Sequence, residues 1–235
     1  HVPDITDFTR GLKAVLKPSG IVTLEFPHLM RLISEKQFDT VYHEHFSYLS
    51  LNVVNNIFSD SGLRIWNVEE LFTHGGSLRI YASHIENNDS VLGSVSNLIN
   101  KEHAFGLQDL NTYFKFQHDV EQIKDRFVGF LTSLKNDGKS VAAYGAAAKG
   151  NTLLNYAGIT ADLLPYVCDA SSSKQGKYLP GSHIPILNPS VLSERLPDYI
   201  IILPWNIAAE IREQNQELSL SGTKFVTVLP ELLIS

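Results

Sequence analysis

From residue 141 to the C-terminus one pattern recurs: a short apolar run, a stretch with helical spacing, then another apolar run. The apolar runs cover 141–144, 166–168, 199–203 and 225–229, and the helical spacing between them is clearest at 153–156 and 207–218. Strands joined through helical crossovers run in the same direction, so the alternation argues for a parallel sheet covered by helices. This confines the second half of the chain to the α/β class.

At 235 residues there is room for one large or two small domains. No stretch approaches the roughly 18–20 apolar residues of a membrane span, so no membrane partner is expected. Nineteen Lys and Arg against 25 Asp and Glu leave a net charge of −6, with no global basic field for a nucleic acid. A single cysteine, Cys168, excludes an internal disulfide and a cysteine-based zinc cluster, and fits a reducing, cytoplasmic setting. The first residue is His1, with no initiator Met and no signal segment, so the sequence reads as the tail of a longer chain.

Asp4, Ile5, Phe8, Leu12, Val15 and Leu16 have the spacing of a helix with an acidic N-cap, stopped by Pro18 and Gly20. A strand follows at 21–26, a helix through Leu51, Val54, Ile57 and Phe58, and then an antiparallel pair at 63–68 and 78–82. Helix, strand, helix and antiparallel pair look like the closing half of an α/β sheet. Residues 85–110 are polar and nearly patternless, with a short possible helix at 95–99, and the domain junction is expected there. Val120, Ile123, Phe127, Phe130, Leu131 and Leu134 then mark a long amphipathic helix ending at Asn136.

Two constellations carry chemistry. Tyr144, Gly145, Ala146, Ala147, Ala148, Lys149 and Gly150 read G-x-A-x-x-G against the dinucleotide fingerprint G-x-G-x-x-G. The middle glycine lets the backbone approach a pyrophosphate, so the Ala147 methyl speaks against NAD, although Asp169 stands about where a ribose-binding acid belongs. A helix N-terminus together with Lys149 suits a phosphate or other anion; the alternative is a tight turn that binds nothing. The second constellation is Tyr42, His43, Glu44, His45, Phe46, Ser47 and Tyr48, with His28 nearby in sequence and His1 in another loop. A histidine oriented by a carboxylate can act as a general base, and a tyrosine can donate to an oxyanion, which equips the segment for enolate chemistry. Zinc is a poor rival, because three consecutive residues do not readily converge on one ion and the H-E-x-x-H spacing is missing. A polar loop whose histidines only satisfy neighbouring hydrogen bonds is the other reading.

The segments YHEHFSYLS, HGGSLRIYASH, AYGAAAKGNTLLNY and CDASSSKQGKYLPGSHIPI, in that order, resemble the sugar C-methyltransferase family over nearly the whole chain. Members of that family use S-adenosylmethionine to methylate a ring carbon of a nucleotide-linked keto-deoxysugar. They combine a zinc-binding N-terminal domain, a central Rossmann-like methyltransferase domain and a C-terminal Rossmann-like domain. The resemblance implies the end of the central domain at 1–100 and the C-terminal, nucleotide-sugar-binding domain at 101–235. The zinc domain and the main S-adenosylmethionine site are then expected upstream, with no metal in this chain and no activity from this piece alone. By the same resemblance His45 is the base, supported by Glu44, with Tyr42 and His1 as further active-site residues. Lys149, Asn151, Arg79, Gly145 and Gly150 are the candidates for holding the sugar nucleotide, and Glu25 is a weaker one. The competing reading is a noncatalytic or NAD-type nucleotide-binding module, which would favour glycine at 147 and has no use for a base beside Glu44.

Overall fold

The computed structural model describes residues 1–87 and 89–235 and divides into two units: residues 1–37 with 43–116, and residues 38–42 with 117–235. In the first, α1 (Ile5–Val15) opens at Asp4, whose carboxylate accepts the Asp7 N–H at 2.9 Å, so the expected acidic cap is formed. The elements that follow are β1 (Val22–Pro27), α2 (Leu29–Ser34), α3 (Leu51–Asp60), β2 (Leu63–Leu71), β3 (Ser77–His84) and α4 (Gly93–Phe105). The strands form an antiparallel sheet in the order β1-β3-β2. Side chains alternate across it, which splits the register into two sets. Leu24, Ile80 and Val68 stand in one row, with Ile80 wholly buried against Leu51, Val54 and Phe58 of α3. Glu25, Arg79 and Glu69 form the next row, on the opposite face. Truncating Ile80 to Ala leaves a cavity in that core and is worth about 2–5 kcal/mol.

α4 is a full helix where only a short segment was expected. Only Val95, Leu98 and Glu102 are buried along it, and the first two complete the core of α3 and the sheet. Two apolar contacts are too few to raise a periodic signal in the sequence, although they are enough to dock the helix. α5 (Leu110–Asn136) starts ten residues before the Val120 at which its apolar face becomes legible, and the division between units falls within it, at 116/117.

The second unit holds β4 (Val141–Tyr144), α6 (Ala148–Tyr156), β5 (Val167–Cys168), β6 (Ile186–Leu187), α7 (Ser190–Arg195) and β7 (Tyr199–Ile202). It ends with α8 (Ala208–Gln214), α9 (Gln216–Leu220), β8 (Lys224–Thr227) and β9 (Leu233–Ile234). The strand order is β6-β5-β4-β7-β8-β9, parallel except for the antiparallel edge strand β9. This is the expected α/β class with a Rossmann-like parallel sheet. Strands covered on both faces read as continuous apolar runs, as Ile200, Ile201 and Ile202 do, all buried. The helical stretch expected over 207–218 breaks at Asn215, whose backbone leaves helical values (φ −117°, ψ 29°) while its side-chain amide donates to the Ile211 carbonyl at 2.8 Å. No helix among the described residues is long and apolar enough to cross a membrane.

Residues 38–42 complete this unit from far upstream. Their 3₁₀ turn Phe38–Thr40 lies against α6, with the Phe38 and Tyr156 rings 5.2 Å apart.

Candidate functional site

In the first unit the loop 43–50 is secured at its exit. Leu29 N–H donates to the Leu49 carbonyl at 2.9 Å, and the Ser50 hydroxyl accepts from Val53 N–H at 3.3 Å as the cap of α3. Tyr48 packs on the cluster of Met30, Leu32, Ile33 and Leu107. From there the chain leads back to His45, half-buried, its ring 6.2 Å from that of Tyr48 and nearly edge-on. The His1 ring lies 5.0 Å from the His45 ring. The fold therefore brings His1 and His45 together. Glu44 and His43 are exposed. Tyr42 is half-buried and belongs with 38–42 to the other unit. Two imidazoles beside a phenol can accept a proton and hydrogen-bond a developing oxyanion.

Behind this loop lies a pair that sequence reasoning did not find. His28 and Glu102 are both about 1% exposed, and His28 Nε2 lies 2.8 Å from Glu102 Oε1. The same carboxylate accepts Leu51 N–H at 2.6 Å and Asn52 N–H at 2.9 Å, at the start of α3. Burial pushes the Glu102 pKa up, but His28 and the two backbone donors outweigh it and hold the group below the usual carboxylate range. The one sequence signal was an acid within a stretch that otherwise read as a junction.

Arg79 sits between two carboxylates, 3.0 Å from Glu25 and 3.8 Å from Glu69. Glu25 is also engaged by the Thr73 hydroxyl at 2.7 Å, and Thr73 and Arg79 together lower its pKa. Arg79 is thus matched by carboxylates of the neighbouring strands within the sheet face.

In the second unit the chain leaves β4 toward β5 on one side, while β7 continues to β8 on the other. Such a switch of direction opens a crevice at the carboxyl ends of the two strands. The turn at 145–150 and the segment 203–206 flank it. Gly145 has φ +95°, and a Cβ there would lie 2.5 Å from Pro204 Cδ. A Cβ on Gly150 would lie 2.6 Å from Leu203 Cβ. Both glycines are therefore required by packing of the turn and α6 on the chain after β7. Asp169 folds back on the same turn: Oδ2 accepts Ala146 N–H at 2.6 Å and Lys174 Nζ at 3.2 Å, and Oδ1 accepts Ser171 N–H. With both oxygens engaged it is poorly placed to hold a ribose, which weighs against the NAD-type alternative.

Lys149 stands at the crevice, its Nζ 4.6 Å from the centre of the Trp205 ring and 3.4 Å from Asn206 Oδ1. Burial lowers its pKa and the nearby Asp39 charge opposes that shift. Trp205 is in turn fixed by Asp39, whose Oδ2 accepts the indole N–H at 2.7 Å. Asp39 is wholly buried and its other oxygen has no hydrogen-bond partner, so desolvation raises its pKa to about 6 against the pull of Trp205 and Lys149. The first turn of α6 has no side-chain cap, which leaves N–H groups beside Lys149 for an anion. Asn151, in the same turn, has a buried Oδ1 without a partner. Asp39 and Trp205 were not singled out in the sequence, since nothing local links them.

Among the described residues no group of three or more His, Cys, Asp or Glu could hold a metal. The buried Cys168 thiol is pushed up to about 11 by desolvation, which removes it as a nucleophile near neutral pH.

Residues 72–230 match the family described as C-methyltransferase C-terminal domain. Over 231 residues, 98% of this chain and 55% of the relative, the sequence is 36% identical to C-methyltransferase NovU of Streptomyces niveus. The chain thus spans about half the length of that curated relative.

Proposed function

The chain belongs to the C-methyltransferase family, and from that premise we propose that it supplies the proton-abstracting loop and the substrate-holding domain of a cytoplasmic enzyme that methylates carbon on a nucleotide-linked keto-deoxysugar. The observation that carries this reading is the meeting of His1 and His45, distant in sequence, with their rings 5.0 Å apart.

In this reading His45 takes a proton from the carbon beside the sugar ketone. The C–H bond breaks, a bond to the imidazole nitrogen forms, and the electron pair moves toward the carbonyl oxygen as an enolate. His1, whose ring lies beside that of His45, is the donor assigned to that oxygen, where charge develops in the transition state. Glu44 favours the protonated imidazole through its charge. Lys149, Asn151 and the uncapped start of α6 hold the nucleotide phosphates.

S-adenosylmethionine, the methyl donor implied by the family, supplies an electrophilic methyl group. The residues present do not cradle it: Gly145 and Gly150 are used in packing and both Asp169 oxygens are engaged. We therefore assign it, and any zinc, to residues outside this chain.

The test is His45→Asn in the full-length enzyme. General-base catalysis is worth roughly 10²- to 10⁴-fold, so kcat should fall by that factor with KM almost unchanged, because proton abstraction acts only in the transition state. Near-normal turnover would move the base elsewhere, with His1 next to be tried. Lys149→Met should do the reverse, raising KM for the sugar nucleotide with little change in kcat.

A further inference from the structure

We propose that Glu102, with His28, is a positioning device for the loop that carries His45: it fixes the exit of that loop so that the imidazole is presented in a reactive orientation. The inference rests on the reading of His45 as the base and extends it to a residue that touches neither substrate nor His45.

A continuous path of contacts supports it. Glu102 reaches from α4 to the Leu51 and Asn52 amides at 2.6 and 2.9 Å, and to His28 Nε2 at 2.8 Å. His28 follows β1 directly and forms a bridge with Leu49, whose carbonyl accepts Leu29 N–H. One buried carboxylate therefore ties together the end of β1, the end of the loop and the start of α3. Beside Leu49, Tyr48 packs on a cluster that includes Leu107 and Phe105, so the end of α4 and the chain after it grip the loop through its side chain as well. Tyr48 in turn lies edge-on to the His45 ring.

Helix capping alone does not account for this arrangement. Ser50 already caps α3 at Val53 N–H, and the Leu51 and Asn52 amides call for an acceptor but not for a charged one that also holds His28. Withdrawing a carboxylate and an imidazole from solvent is expensive, and buried polar sets of this kind are tolerated where a unique arrangement matters more than stability. Glu102 stays ionised, so Nε2 of His28 carries the proton that the carboxylate accepts.

The experiment uses the full-length enzyme and three variants assayed well below their unfolding temperatures. Glu102→Gln keeps the shape but presents an amide N–H₂ to donors. It should lower kcat roughly 10- to 100-fold, the loss expected when a catalytic group is misplaced by about 1 Å, with KM for both substrates within about twofold. His28→Leu should lower kcat in the same way. His28→Gln, whose side-chain amide can donate from near the Nε2 position, should restore most of it. The same order should appear in hydrogen–deuterium exchange at the acidic carbon of the sugar. If Glu102→Gln and His28→Leu are less heat-stable but keep wild-type kcat once folded, the pair serves only the fold and the proposal is overturned. Equal activity in His28→Leu and His28→Gln also overturns it. His45→Asn is run alongside: if it stays active the reading of the base fails first, whereas its inactivity together with a normal Glu102→Gln isolates the failure to this proposal.

Discussion

Glu102 and Asp39 are the most deeply buried carboxylates among the described residues, one in each unit, and they behave in opposite ways. Glu102 spreads its charge over three donors and titrates below the usual range. Asp39 has the Trp205 indole N–H, backbone amides of its own turn and a lysine nearby, yet its pKa is raised to about 6. Both are shut off from water, but desolvation outweighs the donors at Asp39 and is outweighed by them at Glu102, and that balance decides which acid keeps its charge. The first unit uses a buried charge as a fixed anchor. The second keeps one that is only half committed at mildly acidic pH.

Four measurements would break or sharpen this contrast. The largest effect is expected for Glu102→Leu, which leaves His28 and two helix-start amides unmatched; urea unfolding should show a loss of about 3–5 kcal/mol. A loss below about 1 kcal/mol would mean that water replaces the carboxylate without difficulty. Next is Asp39→Asn, with the opposite sign. The folded pKa of Asp39, about 6, lies above the ordinary 3.8, so its contribution to stability is complete below pH 3.8 and disappears as pH rises past about 6. Asparagine keeps an acceptor for Trp205 and removes the titration. It should therefore flatten the stability profile between pH 4 and 6 and raise stability at pH 7 by roughly 1–3 kcal/mol. For Glu102 the sign reverses, its contribution being present above the ordinary carboxylate value of 4.5 and lost as pH falls below it.

Trp205→Phe comes third. It removes the one side-chain donor to Asp39, so the chain should lose roughly 1–2 kcal/mol at pH 7, and the pH-dependent loss should move to higher pH. The smallest effect is expected for Ser50→Ala. Caps are typically worth about 1 kcal/mol, but with Glu102 already on the neighbouring amides the loss should be about 0.5 kcal/mol. A larger value would give the serine the anchoring role assigned to the acid.

Legibility from sequence followed the range over which each signal acts. β4, β7 and β8 announced themselves as apolar runs because both faces of a parallel sheet are covered. β6 and β9 did not, since Ile186–Leu187 and Leu233–Ile234 are too short for any periodicity. The α1 cap could be seen because Asp4 acts three residues away. The site divides along the same line. His45 and Lys149 stand in motifs whose residue types suggest chemistry, and the resemblance to a family supplied His1. Glu102 acts on His28 across 74 positions and Trp205 on Asp39 across 166, and a single sequence holds no trace of pairings that distant.

The inset at 38–42 also sets the order in which the protein can be made. Synthesis runs from the N-terminus, so Asp39 leaves the ribosome 166 residues before its indole partner. At 5–20 residues per second this is an interval of roughly 8–33 s. In its early part the segment has no second unit to join, because α6, against which Phe38 packs, has yet to emerge. Only when Trp205 emerges can Asp39 gain its indole donor and the inset be completed. A shortened chain beginning at residue 117 could never take that step, because Phe38 and Asp39 are missing from it.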